Sequence, residues 1–91
     1  MATIHLEIAG RVQGVGFRWF VRERARRFRI TGWVRNRPDG TVEVAGAGDR
    51  ESLDAFASAI KRGPDGARVE TVRELEEVAP DSLDGDFSIV R

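Results

Sequence analysis

The stretch Gly10-Arg11-Val12-Gln13-Gly14-Val15-Gly16-Phe17-Arg18 sets three glycines and a terminal guanidinium between a run of strand character and a run of helical character. A junction of that kind grips anions. The N–H groups at a helix start have no intrahelical acceptor, the helix dipole favours negative charge there, and glycines let the backbone close around oxygen atoms. Arg18 adds a planar fork of donors matched to phosphate or carboxylate. Its place in the first helical turn costs about 0.3 to 1 kcal/mol against the dipole while the site is empty. A bound anion removes that penalty, and local rules tend to be broken at functional sites. The glycines by themselves also fit a purely structural turn.

Two nucleotide-loop readings fail on spacing. A Walker loop ends in Lys followed by Ser or Thr, whereas this run ends in Phe17-Arg18, and the dinucleotide fingerprint needs a third glycine where Trp19 stands. Conventional catalysts are scarce as well. His5 is the only histidine; strand alternation puts it on the face opposite Ile4 and Leu6, and an ordinary surface position is expected for it. No spacing of His and carboxylates suggests a metal site, and Ser52, Ser58, Ser82 and Ser88 have no base nearby in sequence. An amide cradle with one Arg stabilises charge on a phosphoryl group without moving a proton, which suffices when the leaving group departs unprotonated. Carboxylates, whose conjugate acids have a pKa of about 4, meet that condition, so an acyl phosphate fits where an alkyl phosphate does not. Attacking water still has to be placed. Asn36, where the second strand enters a turn, is the candidate for holding it, and the same residue also fits a turn-capping role.

A chain of 91 residues is expected to form one domain over 1–91. With no cysteine, disulfides, thiolate chemistry and Cys-based zinc sites are excluded. The N-terminus lacks a basic stretch followed by a continuous apolar run, and no segment has the length of a membrane span; a soluble, unexported, cytoplasmic monomer is expected. The net charge is zero but unevenly spread. Residues 1–40 carry nine Arg against Glu7, Glu23 and Asp39, and residues 41–91 carry six basic against twelve acidic residues. The basic half suits a small anion, while the acidic half argues against broad contact with nucleic acid. Arg22, Arg24, Arg26 and Arg27 are expected on solvated faces and in ion pairs.

Elements must bring these residues together. Thr3 to Ala9 alternates as a half-buried strand, and Phe17, Phe20, Val21, Ala25 and Phe28 recur at helical spacing up to Phe28 or Arg29. Ile30 to Arg35 and Thr41 to Ala47 read as a hairpin around Pro38-Asp39-Gly40. Asp49 is placed to cap a second helix with Leu53, Phe56, Ala57 and Ile60 on its apolar face, ending at Gly63-Pro64. Ala67 to Glu76 reads as a fourth strand, Asp81 to Asp86 as a polar connection and Phe87 to Val90 as a short fifth strand. The order β-α-β-β-α-β predicts an α+β, ferredoxin-like (split β-α-β) sandwich: two helices on one face of a four- to five-stranded antiparallel sheet.

With these residues in view, the chain resembles the acylphosphatase family. The likeness runs through the loop Gly10 to Arg18, Thr31 to Val44, Gly63 to Val72 and the terminal Phe87-Ser88-Ile89-Val90-Arg91. It implies metal-independent hydrolysis of the carboxyl-phosphate bond of a small acyl phosphate, with no cofactor, and with inorganic phosphate as product and inhibitor. It further implies that the loop amides of Gln13, Gly14, Val15, Gly16, Phe17 and Arg18 bind the phosphoryl oxygens, that Arg18 clamps the phosphate and that Asn36 positions water. Phe28-Arg29 stands where relatives often carry Leu-Gly, and Trp19 where Tyr is common; the first difference bears on helix termination. A related domain opens larger hydrogenase-maturation proteins, and the single-unit length favours the free-standing enzyme. An RNA-binding module on the same fold would need aromatic side chains on the sheet face, and Thr41 to Ala47 offers none. A non-catalytic anion-binding domain shares the loop and differs only in turnover.

Overall fold

The computed structural model describes residues 1–90; Arg91, the end of the C-terminal stretch noted above, lies outside the described residues. Alternating Leu6 and Ile8 bury one face of strand β1 (Ala2–Arg11). Four-residue spacing of Phe17, Val21 and Ala25 does the same for helix α1 (Phe17–Arg27). Strands β2 (Thr31–Asn36) and β3 (Val42–Gly48) form the expected hairpin, followed by α2 (Arg50–Arg62), which buries Leu53, Phe56 and Ile60. Strands β4 (Arg68–Glu74) and β5 (Ser88–Ile89) complete the chain. Asp49 occupies the N-cap of α2 as expected, but its carboxylate makes no capping bond.

The sheet order is β4-β1-β3-β2-β5. Strand β3 lies antiparallel between β1 and β2, so β1 and β2 run the same way and both end at one edge of the sheet. The first places the loop after Arg11 at that edge, and the second places Asn36 there. Both helices pack on one face over a core that includes Ile8, Phe17, Val21, Val34, Val44, Phe56 and Ile60.

Two expectations need correction. The sheet is mixed rather than wholly antiparallel, because β5 pairs with β2 in parallel, Trp33 opposite Ser88 and Val34 opposite Ile89. The segment before it is not merely polar: a 3-10 turn at Pro80–Leu83 buries Leu83 against Ala45 and Ala47, with Trp33 and Val78 packed alongside. Alternation puts those alanines on the face opposite Val42 and Val44. The returning chain therefore covers part of the sheet face away from the helices, and that crossing delivers β5 parallel to β2.

Phe28-Arg29 does terminate α1. The Ile30 N–H donates to the Ala25 carbonyl at 2.8 Å and the Arg29 N–H to the Arg26 carbonyl at 3.2 Å, the paired bonds of a Schellman ending. Arg29 supplies the left-handed residue with φ 58°, where glycine is the usual occupant. A side chain in that conformation costs about 1 to 2 kcal/mol. Arg29→Gly is therefore expected to raise stability by about 1 kcal/mol, net of the extra freedom glycine gives the unfolded chain. Urea unfolding checks this, and a loss of stability would contradict the assignment of strain to Arg29.

Candidate active site

Just before the loop, the β1–β4 pairing shifts register between Ala9 and Gly10 and then continues to Arg11. From there the chain turns into α1 through Gly14 and Gly16, with φ of 76° and 73°, left-handed values that an L side chain adopts only at a cost. Gly16 is the N-cap of α1 and offers no side-chain cap, and the first turn holds no acidic residue. Among the described residues, no backbone hydrogen bond outside helices and strands draws on an N–H of residues 13–18. Helix geometry leaves the N–H groups of Phe17 and Arg18 without intrahelical acceptors. The result is a run of unspent donors at the positive end of a helix.

A cleft of about 180 Å³ opens beside this loop, lined by Val12, Gly14, Gly16, Phe17, Arg18, Trp19, Asn36 and Ile89. Arg18 and Asn36, 18 residues apart in sequence, share it. Gln13 and Val15 stand outside the lining: Val15 packs against the core, and the Gln13 side chain bridges to the hairpin. Gln13 Nε2 donates to the carbonyls of Arg37 and Thr41, each at 2.9 Å. This ties the anion loop to the residues flanking the β2–β3 turn. Nothing local in the sequence signals this tie, whose nearer partner lies 24 residues away.

Asn36 is not the turn cap. Asp39 takes that role, its Oδ1 accepting from the Thr41 hydroxyl at 2.6 Å and the Thr41 N–H at 3.0 Å, which hold its carboxyl below the ordinary range. Asn36 instead ends β2 opposite Val42, and its Oδ1 is buried without a hydrogen-bond partner. A buried acceptor in that state costs about 1 to 3 kcal/mol. The Asn36 side chain also lines the cleft that holds Arg18, where a neutral carboxamide can hydrogen-bond a small molecule that enters.

The face of the sheet behind Asn36 carries a charge network. Glu7 and Glu43 lie directly opposite each other in the β1–β3 register, a like-charge pairing that is unfavourable alone. Arginines from both flanks resolve it. Arg35 Nε donates to Glu43 Oε1 at 2.7 Å, Arg37 Nη1 donates to Glu7, and Arg73 Nη2 reaches Glu7 Oε1 at 2.9 Å. His5 belongs here too, with Nε2 2.6 Å from Glu43 Oε2 and Nδ1 2.7 Å from the Glu76 carbonyl. The expected free surface position for His5 is thus corrected: it faces away from the core, as alternation requires, but is bonded on both sides. The residues on either side of Asn36 are held by carboxylates on the opposite face, which restrains the end of β2. Alternation in β1, β2 and β3 already placed these groups on one face; their pairing required the register. On α1, Arg24 lies 5.0 Å over the Phe20 ring, Arg22 pairs with Glu23 at 3.6 Å and Arg26 reaches the Phe87 carbonyl at 3.4 Å, in keeping with structural roles.

Two helices on a sheet ordered β4-β1-β3-β2, with a glycine-rich loop and its cleft on the split β-α-β crossover, define a ferredoxin-like sandwich. The acylphosphatase family model matches residues 4–89. An acylphosphatase of Thermococcus kodakarensis is 49% identical over 86 residues, covering 94% of this chain and 92% of the relative. The crystal structure of acylphosphatase from Bacillus subtilis aligns with a TM-score of 0.93 at 37% identity, covering 100% of both chains. T. kodakarensis HypF aligns at a TM-score of 0.86 and 30% identity over 100% of this chain but 12% of its own. The chain belongs to the acylphosphatase family and is an acylphosphatase enzyme. No helix among the described residues is long and apolar enough to cross a membrane.

Burial pushes the Glu43 carboxyl up, but the hydrogen bonds from His5 and Arg35 and the charges of Arg35 and Arg37 outweigh it, leaving it below its ordinary 4.5. A carboxyl depressed by folding contributes stability that is whole above 4.5 and is lost as pH falls through the lower folded value. Glu43→Gln is expected to cost about 1 to 3 kcal/mol at neutral pH and to flatten the acid side of the stability profile. Urea unfolding at neutral and acid pH reads both, and an unchanged acid slope would remove Glu43 from the account.

Proposed function

We propose that the loop, Arg18 and Asn36 together hydrolyse small acyl phosphates without a metal ion, giving a carboxylate and inorganic phosphate. The observation that supports this reading is that the Asn36 side chain, Arg18 and the N-terminus of α1 line one cleft. In this mechanism the N–H groups of Gln13 to Arg18 receive the phosphoryl oxygens, and the Arg18 guanidinium takes up charge that spreads over them in the transition state. The Asn36 carboxamide hydrogen-bonds the water and turns an oxygen lone pair toward phosphorus on the side away from the leaving group. Water attacks, the P–O bond to the acyl oxygen breaks, and the carboxylate leaves with the bonding pair. Its low basicity means no side chain has to protonate it. The water's proton is released to solvent or to a phosphoryl oxygen. Among the described residues, no carboxylate or imidazole side chain lines the cleft, which matches a reaction run on preorganised donors.

The purified protein is expected to hydrolyse acetyl and benzoyl phosphate, to be unaffected by EDTA and to be inhibited competitively by inorganic phosphate. Arg18→Ala is expected to raise KM and lower kcat/KM by at least about 100-fold, since it removes charge binding in ground and transition states alike. Asn36→Ala is expected to lower kcat by about 100-fold with little change in KM, because water rather than substrate is misplaced. Steady-state kinetics separate the two, and wild-type rates in either variant would remove that residue from the mechanism. Phosphate binding with no turnover of either substrate would select a non-catalytic anion-binding role instead.

A further inference from the structure

The reading above accounts for the phosphoryl half of the substrate and leaves the acyl half without a contact. Trp19 stands beside the space that half must use. It is 58% exposed, and only Met1 among the described large apolar side chains is also exposed. A single exposed aromatic is unremarkable on a protein surface. This one directly follows Arg18 and lines the same cleft as Arg18 and Asn36. The other apolar lining is less available, because Val12 and Phe17 are each 1% exposed and spend their surface in the core. Trp19, with half-buried Ile89, is therefore the apolar wall a ligand meets once its phosphoryl oxygens occupy the loop.

Resting on that proposed function, we propose that Trp19 is a specificity-determining residue, its indole packing against the acyl group so that aromatic and bulky apolar acyl phosphates are preferred over acetyl phosphate. The chemistry supports a selective effect. The polar atoms of the cleft act on parts common to every acyl phosphate, namely phosphoryl oxygens and water, and discriminate little between acyl groups. An indole face offers contact that grows with the apolar area of the acyl group, and contact with an aromatic ring adds a stacking contribution. Both arise largely on binding, so the preference is expected mainly in KM.

The test compares kcat/KM for benzoyl and acetyl phosphate in the wild-type protein, Trp19→Ala and Trp19→Phe. Trp19→Ala is expected to lose about three- to tenfold on benzoyl phosphate, chiefly through KM, while acetyl phosphate changes by less than about twofold. Trp19→Phe is expected to keep most of the preference. The inhibition constant of inorganic phosphate, which reads only the loop, is expected to stay unchanged and reports an intact site. Equal losses on both substrates, or no loss on benzoyl phosphate, would overturn the role of Trp19 while leaving the hydrolytic reading in place. A wild-type protein that turns over neither substrate would overturn both.

Discussion

The position of β3 between β1 and β2 governs everything at the site. Because β3 is antiparallel to both, the two flanking strands run in parallel and their C-terminal ends share one edge of the sheet. The anion loop leaves the first end and Asn36 stands at the second. An N-terminal loop and a residue in a later hairpin thus meet with no long connection. The two bonds from Gln13 Nε2 to the Arg37 and Thr41 carbonyls then restrain the loop against the hairpin. The mechanism proposed for this site depends on such restraint, since preorganised donors work largely through placement.

The same edge shows how stability and function divide the two faces of one strand. Along β2, Val34 is buried in the core, Arg35 and the following Arg37 are held by Glu43 and Glu7 on the opposite face, and Asn36 between them turns to the cleft. Leaving Asn36 Oδ1 buried and unpaired is unfavourable for the fold. So is a left-handed non-glycine residue at the end of α1. The second is tolerated because the Schellman bonds and the burial of Ala25 and Ile30 close the helix around it.

Much of this was legible in the chain itself. The spacing of Phe17, Val21 and Ala25, the alternation of Leu6 and Ile8, and Pro38-Asp39-Gly40 each carry a local period or a backbone demand, and each marks its element to within a few residues. Gly14 and Gly16 marked the turn into α1 for the same reason, because helix-start donors and left-handed turns are local properties. Asn36 was legible only as one of two roles, a turn cap or a water holder, and of these the turn cap falls to Asp39, which bonds Thr41. His5 reads as free surface in the sequence because its partners, Glu43 and Glu76, lie 38 and 71 residues away. Leu83 was lost in an acidic run whose polarity hides one buried side chain.

By itself, then, the sequence determined the elements, their order and the chemical character of the loop, since periodicity, turn chemistry and helix-end electrostatics act over a few residues. Tertiary structure alone decided what those residues meet. It set β5 parallel to β2, joined His5, Glu43 and the two arginines beside Asn36 into one network, tied Gln13 to the hairpin and placed Trp19 and Ile89 on the rim of one cleft. The physical reason is that hydrogen bonds and ion pairs across a sheet depend on register. Register is set by the packing of all the strands together rather than by any one of them.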